Sequence, residues 1–157
     1  MLASDMIDIV RFKINDVDKQ EFTDKELVYL INDAVYFLSI ELIGLRDPEM
    51  IKTATLTNGS TMPSDFHETC GKYPFTMNNG TVTIQDESLS SVSMRYYFLP
   101  ARLENTYDTI PFTNNAYLTY LSNAIAEYAL NRVELDLNQD LNMQNLIRQA
   151  LGVTKNA

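Results

Sequence analysis

The period of the apolar residues changes twice along this chain, and that pair of changes limits what it can fold into. Before about position 48 and after about position 109, apolar residues recur at helical spacing; between them, Thr, Val, Ile and Tyr alternate with polar residues and Gly-containing turns. A run of strands held between helical ends predicts an α+β fold, in which N- and C-terminal helices form a helical core (1–47 and 110–152) around a small antiparallel β-rich insertion (48–100). At 157 residues the chain is long enough to bury one core and short for two, so the expectation is a single domain over 1–157.

Local signals fill in this outline. Ser4 is the expected N-cap of a first helix reaching about Asn15, with Ile7, Val10 and Ile14 on one face. Thr23-Asp24-Lys25-Glu26 has the form of a capping box, in which hydroxyl and carboxylate each satisfy an orphan backbone N–H of the first turn. The stripe Leu27, Leu30, Ile31, Ala34, Val35, Leu38 and Leu42 follows, with Gly44 as the expected stop. In the middle, strands are expected over 50–57, 60–62, 73–77, 81–85 and 91–98, with a type I′ turn at Asn58-Gly59 and a second turn signal at Asn78-Asn79-Gly80. Asn58-Gly59-Ser60 and Asn79-Gly80-Thr81 also have the form of sequons, which read more economically as turns. A long helix over 114–134 carries Tyr117, Leu121, Ala124, Ile125, Tyr128, Ala129 and Val133. A last one follows Asn138-Gln139-Asp140 and stops at Gly152.

Charge excludes more than it selects. Twelve Lys and Arg against twenty-one Asp and Glu give a formal charge of −9, which opposes a surface that grips phosphate, though not one that lets nucleic acid slide past. Cys70 is the one cysteine, so a disulfide-stapled fold is out. The sequence offers no basic start with a long apolar stretch and no apolar run near the roughly 20 residues of a membrane span, so synthesis in the cytoplasm without a membrane partner is expected.

Residues for chemistry are sparse. His67 and Cys70, the single residues of their types, stand three apart, too few for the three or four ligands of a zinc site, and surface or packing roles suit them better. The acids Asp16, Asp18, Glu21 and Asp24 fail the calcium-loop pattern, because Glu21 stands where the loop needs Gly and Leu27 where it needs Glu. Phosphate-loop, nucleophile-elbow and dinucleotide patterns are missing, so neither catalytic residues nor a cofactor is expected. Tyr96-Tyr97-Phe98 lacks the basic groove of a base-stacking platform and reads as core packing. Tyr117, Tyr120 and Tyr128, with Arg132, make a wide tyrosine-rich face on the long helix that suits both a core and a subunit interface.

Three stretches, in this order, carry a resemblance. The first is Asp8-Ile9-Val10-Arg11-Phe12-Lys13-Ile14-Asn15-Asp16 followed by Phe22-Thr23-Asp24-Lys25-Glu26-Leu27-Val28-Tyr29-Leu30-Ile31-Asn32-Asp33-Ala34. The second is Leu56-Thr57-Asn58-Gly59-Ser60-Thr61-Met62-Pro63-Ser64-Asp65-Phe66. The third is Asp108-Thr109-Ile110-Pro111-Phe112 with Ala126-Glu127-Tyr128-Ala129-Leu130-Asn131-Arg132 and Asn138-Gln139-Asp140-Leu141. Together they resemble the head-tail connector, adaptor or head-completion proteins of tailed phages, over most of the chain. The resemblance implies a virion protein at the head-tail junction, assembled as a ring of twelve copies that docks on the portal protein. It also implies a tail or second adaptor protein below the ring, genomic DNA passing through without sequence-specific binding, and no catalytic residues. An acidic ring would present a negative wall to that DNA, with Asp16, Asp18 and Glu21 as the expected channel-facing acids. The alternative is a small phage or bacterial protein-interaction module with no ring role.

Overall fold

The computed structural model describes residues 1–132 and 139–153, without the side chains of 132 and 139–142. Four helices and five strands follow one another as α1 (Ala3–Ile14), α2 (Asp24–Gly44), β1 (Ile51–Leu56), β2 (Phe66–Thr69), β3 (Phe75–Asn78), β4 (Thr81–Ile84), β5 (Val92–Phe98), α3 (Asn115–Arg132) and α4 (Gln139–Ala150). The fold is α+β, with the strands between N- and C-terminal helices. Two compact units result: a helical one of Met1–Glu41 with Arg102–Ala157, and a strand-rich one of Leu42–Ala101. The second thus starts inside the last turn of α2 rather than at position 48.

In the helical unit, α1 and α4 both pack on α3. The first turn of α1 is not capped by Ser4, which lies inside the helix; Leu2 holds the N-cap position. The backbone N–H of Ala3 donates to the Asp108 carbonyl at 2.8 Å and that of Ser4 to Thr106 at 2.9 Å, while Ile110 N–H donates to the Met1 carbonyl at 3.0 Å. The first two orphan N–H donors of α1 are thus met by the segment that leads into α3. The capping box of α2 forms as its residue types require. Thr23 Oγ1 accepts from Glu26 N–H at 3.2 Å, and the Glu26 carboxylate accepts from Thr23 N–H at 2.9 Å. All seven residues of the expected α2 stripe are buried.

Against the expectation of no such run, α2 is long and apolar enough to cross a membrane, with a mean hydropathy of 1.5; 61% of that stretch is buried inside the protein, as in a core helix. Gly44 does not supply its stop. The left-handed residue is Arg46 (φ 57°), whose N–H donates to the Ile43 carbonyl at 2.9 Å. At the other end of the chain Gly152 (φ 70°) does end α4, with Val153 N–H donating to the Arg148 carbonyl at 2.9 Å. The expected positions of Val133, Glu134 and Asn138 fall outside the described residues.

In the strand-rich unit β5 is central: the sheet order is β1-β5-β2, all antiparallel, and β3-β4 forms a separate hairpin. Tyr97 shares a face of β5 with the exposed Ser93 and Arg95, yet it is buried along with Val92, Met94, Tyr96 and Phe98. β2 has no counterpart in the period-2 reading, because the register shifts between Phe66 and Glu68 and this bulge at His67 breaks the alternation. The 60–62 segment does not return along β1. Only Gly59 (φ 82°) of the Asn58-Gly59 pair is left-handed, so the turn is not type I′; Gly59 N–H donates to the Val82 carbonyl and Val82 N–H to Ser60, which lays 59–61 beside β4.

The Asn79-Gly80 turn behaves as expected, with φ 50° and 79° between the paired Asn78 and Thr81. Gly80→Ala should therefore destabilise the strand-rich unit by about 1–2 kcal/mol, read as a lower urea midpoint; an unchanged midpoint would contradict this backbone assignment.

Candidate interface surfaces

The turn between α1 and α2 is built around one buried ion pair. Arg11, on the apolar side of α1, is 2% exposed and Asp16 is 3% exposed. Arg11 Nη1 bonds the Asp16 carboxylate, and Nη2 donates to the Phe22 carbonyl and to Asp24 Oδ1, each at 2.8 Å. Asp16 also accepts backbone N–H groups from Gln20 (2.8 Å), Glu21 (2.9 Å) and Phe22 (3.2 Å). Burial pushes the Asp16 carboxyl up, but these three donors and the Arg11 charge outweigh it and hold the group below the ordinary carboxylate range. Asp24 is likewise lowered, chiefly by the Arg11 hydrogen bond against the opposing effect of burial, with help from Lys19.

The expectation of a channel-facing Asp16 is therefore overturned: its oxygens point inward and are consumed by the turn. Asp18 and Glu21 do stand on the surface, and Phe12 and Val17 are exposed as well. Val17, Asp18 and Glu21 stand out because Asp16 holds the backbone of the turn. Sequence reasoning grouped Asp16 with the surface acids and left Arg11 without a role. The available signal was the position of Arg11, four residues after Ile7 and next to Val10, on the side of α1 that must be apolar.

A second buried polar contact ties α2 to the segment ahead of α3. The Asn32 amide donates to the Leu103 carbonyl at 2.9 Å and accepts from the Leu103 N–H at 2.7 Å. On the same helix Glu41 accepts from Arg148 Nε at 2.7 Å and Gln144 Nε2 at 3.3 Å, which joins α2 to α4.

The tyrosine-rich face of α3 is half-buried. Tyr117 meets Phe112 edge-on with centroids 6.2 Å apart and lies 6.4 Å from the ring of Tyr120; Tyr128 is also half-buried. The three rings thus belong partly to the helical core, where Leu121, Ala124, Ile125 and Ala129 are fully enclosed. The Arg132 side chain lies outside the described residues. More prominent apolar surface is found elsewhere, in Phe12, Tyr107, Tyr29 and Tyr36.

In the strand-rich unit Asp65 is the organising residue. Its carboxylate accepts from Lys52 Nζ at 2.6 Å and from the Tyr96 hydroxyl at 2.9 Å; burial would raise it, but these partners bring it below the ordinary range. His67, in the bulge of β2, is exposed. Cys70 is separated from it, facing an open cavity of about 330 Å³ lined by Arg46, Glu68, Thr69, Cys70, Gly71 and Tyr97. Burial pushes the Cys70 thiol up, against the lowering effects of the nearby Arg95 charge and the Tyr97 hydrogen bond. Among the described residues no three His, Cys, Asp or Glu side chains gather as a metal site. Comparison with protein-family models finds no match for this chain, and comparison with curated proteins finds none either.

Proposed function

We propose that this chain is a non-catalytic structural subunit of a tailed-phage virion, a head-tail connector or adaptor that forms a ring beneath the portal, joins capsid to tail and passes DNA through its channel. The observation that carries the reading is the closure of both chain ends into one helical unit around a strand-rich insertion, which is the arrangement that the ordered motifs imply. The motif residues have structural work of the kind such a body needs. Asn32 holds the Leu103 backbone, Asp108 accepts N–H groups of Glu104 and Asn105 at 2.6 and 3.0 Å, and Asp65 joins β1 to β5.

The charge is unevenly held. The helical unit has eight Lys and Arg against fifteen Asp and Glu, and the strand-rich unit four against six. Repeated around a ring, the acidic helical units make a wall that DNA passes without ion pairing. Mass measurement and negative-stain microscopy on the purified chain, alone and mixed with portal protein, test the reading. A ring or a portal-bound collar is expected. A chain that stays monomeric or dimeric in both samples would instead favour an interaction module of another kind.

A further inference from the structure

The ring reading leaves open which surfaces of neighbouring copies meet, and two features of this chain answer each other. The first is Phe12, 80% exposed at the end of α1. An aromatic ring left in water forgoes the favourable burial that a partner surface would supply. It is also held rigidly, since the buried Arg11 precedes it and the Asp16-centred turn follows. Asp8 lies one turn back on the same helix face, and Asp18 and Glu21 are exposed on the turn that follows; none of these three carboxylates has an ion pair among the described residues. The nearby cations are engaged, Lys13 with Ser122 and Asn123, and Lys19 with Asp24.

The second feature is the cavity of about 330 Å³ beside β2, large enough for one aromatic side chain, with the buried Tyr97 ring and the Cys70 thiol in its lining. Arg46 lines it, Lys72 follows the lining residue Gly71 in sequence, and Arg95 lies close enough to act on Cys70. None of these three cations has an ion pair among the described residues, whereas Lys52 on the same sheet is matched to Asp65. Glu68 is the one carboxylate in the lining. In a chain of charge −9, a cavity that holds the unpaired Arg46 in its lining, with Arg95 near its Cys70 and Lys72 next in sequence to its Gly71, is a complement for the chain's own aromatic with acids on its helix face and the turn that follows.

We infer that Phe12 of one copy inserts into the cavity lined by Arg46, Thr69, Cys70 and Tyr97 of a second copy, with Asp8, Asp18 and Glu21 facing Arg46, Lys72 and Arg95. The inference rests on the self-assembly part of the proposed function. It assigns Asp18 and Glu21 to a contact between copies rather than to a channel wall. Because two different surfaces meet, the contact is heterologous and propagates from copy to copy, as ring formation requires.

Cys70 makes the contact directly testable. In F12C, mild oxidation of the concentrated full chain should join the introduced thiol to Cys70 of another copy, giving a ladder of linked species whose bridging peptide is identified by mass spectrometry; F12C/C70S should give no such bridge. Phe12 is exposed, so the variant should melt like the parent. Charge reversal supplies the second arm. D18R/E21R and R46E/R95E should each associate about tenfold more weakly or worse alone, and an equimolar mixture of the two should recover assembly. Assembled rings without the Phe12-site-to-Cys70 bridge, or a mixture no better than its components, would overturn the contact and leave the ring reading standing. A chain that forms neither bridge nor ring, with portal protein or without, would sink both.

Discussion

Replacing Asp16 with alanine is expected to destabilise the helical unit by about 3–5 kcal/mol, the usual cost of removing one partner from a buried ion pair. The size follows from what is stranded. Arg11 keeps a buried positive charge with the Phe22 carbonyl, Asp24 and the long 3.4 Å bond to the Asp16 backbone carbonyl to hold it, and the N–H groups of Gln20, Glu21 and Phe22 lose their shared acceptor. The same residue gives a pH signature. Because the folded carboxyl titrates below its unfolded value, its contribution is complete at neutral pH and is lost progressively below about pH 5. Urea denaturation should therefore show a large gap between parent and D16A at pH 7 that narrows toward pH 3. A gap of under about 1 kcal/mol at pH 7 would put the Asp16 carboxylate in water and remove the frame that presents Phe12.

Asn32→Leu should be nearly as costly. The side-chain shape is kept, but both the N–H and the C=O of the buried Leu103 are left without the amide, at about 1–3 kcal/mol for each unsatisfied group. Since Asn32 lies on α2 and Leu103 ahead of α3, the loss should appear as weakened union of the N- and C-terminal halves. Hydrogen exchange at the Leu103 amide and in the first turn of α1 should speed up together. Loss of protection at Leu103 alone would mean that the two halves do not form one cooperative unit.

These two contacts also mark the limit of what the sequence makes legible. The apolar stripes of α2 and α3, the capping box at Thr23 and the Asn79-Gly80 hairpin are local patterns. In each, the residues that decide the structure lie within a few positions of one another. What escapes is set by residues far apart in sequence. Ser4 is a sound N-cap by type, but the helix starts before it, and Thr106 and Asp108 accept the first N–H groups, those of Ser4 and Ala3. Asn58-Gly59 is a sound hairpin signal, yet β1 takes β5 as its partner and the turn is drawn to β4.

The candidate surfaces were less legible than the fold. Tyr117, Tyr120 and Tyr128 were singled out because helical tyrosines suit interfaces, but their half-burial shares them with the core. Phe12 and Arg46, which carry the inferred contact, give no periodic signal. One stands out by exposure at a helix end and the other by a left-handed backbone, and neither property is written in residue type.

Reconstruction of the head-tail vertex of virions assembled in cells that make this protein bears most directly on the account. The account predicts a closed ring of this chain directly below the portal, with the DNA channel running through it. Virions in which the chain is absent, or present away from the portal as isolated copies, would contradict it.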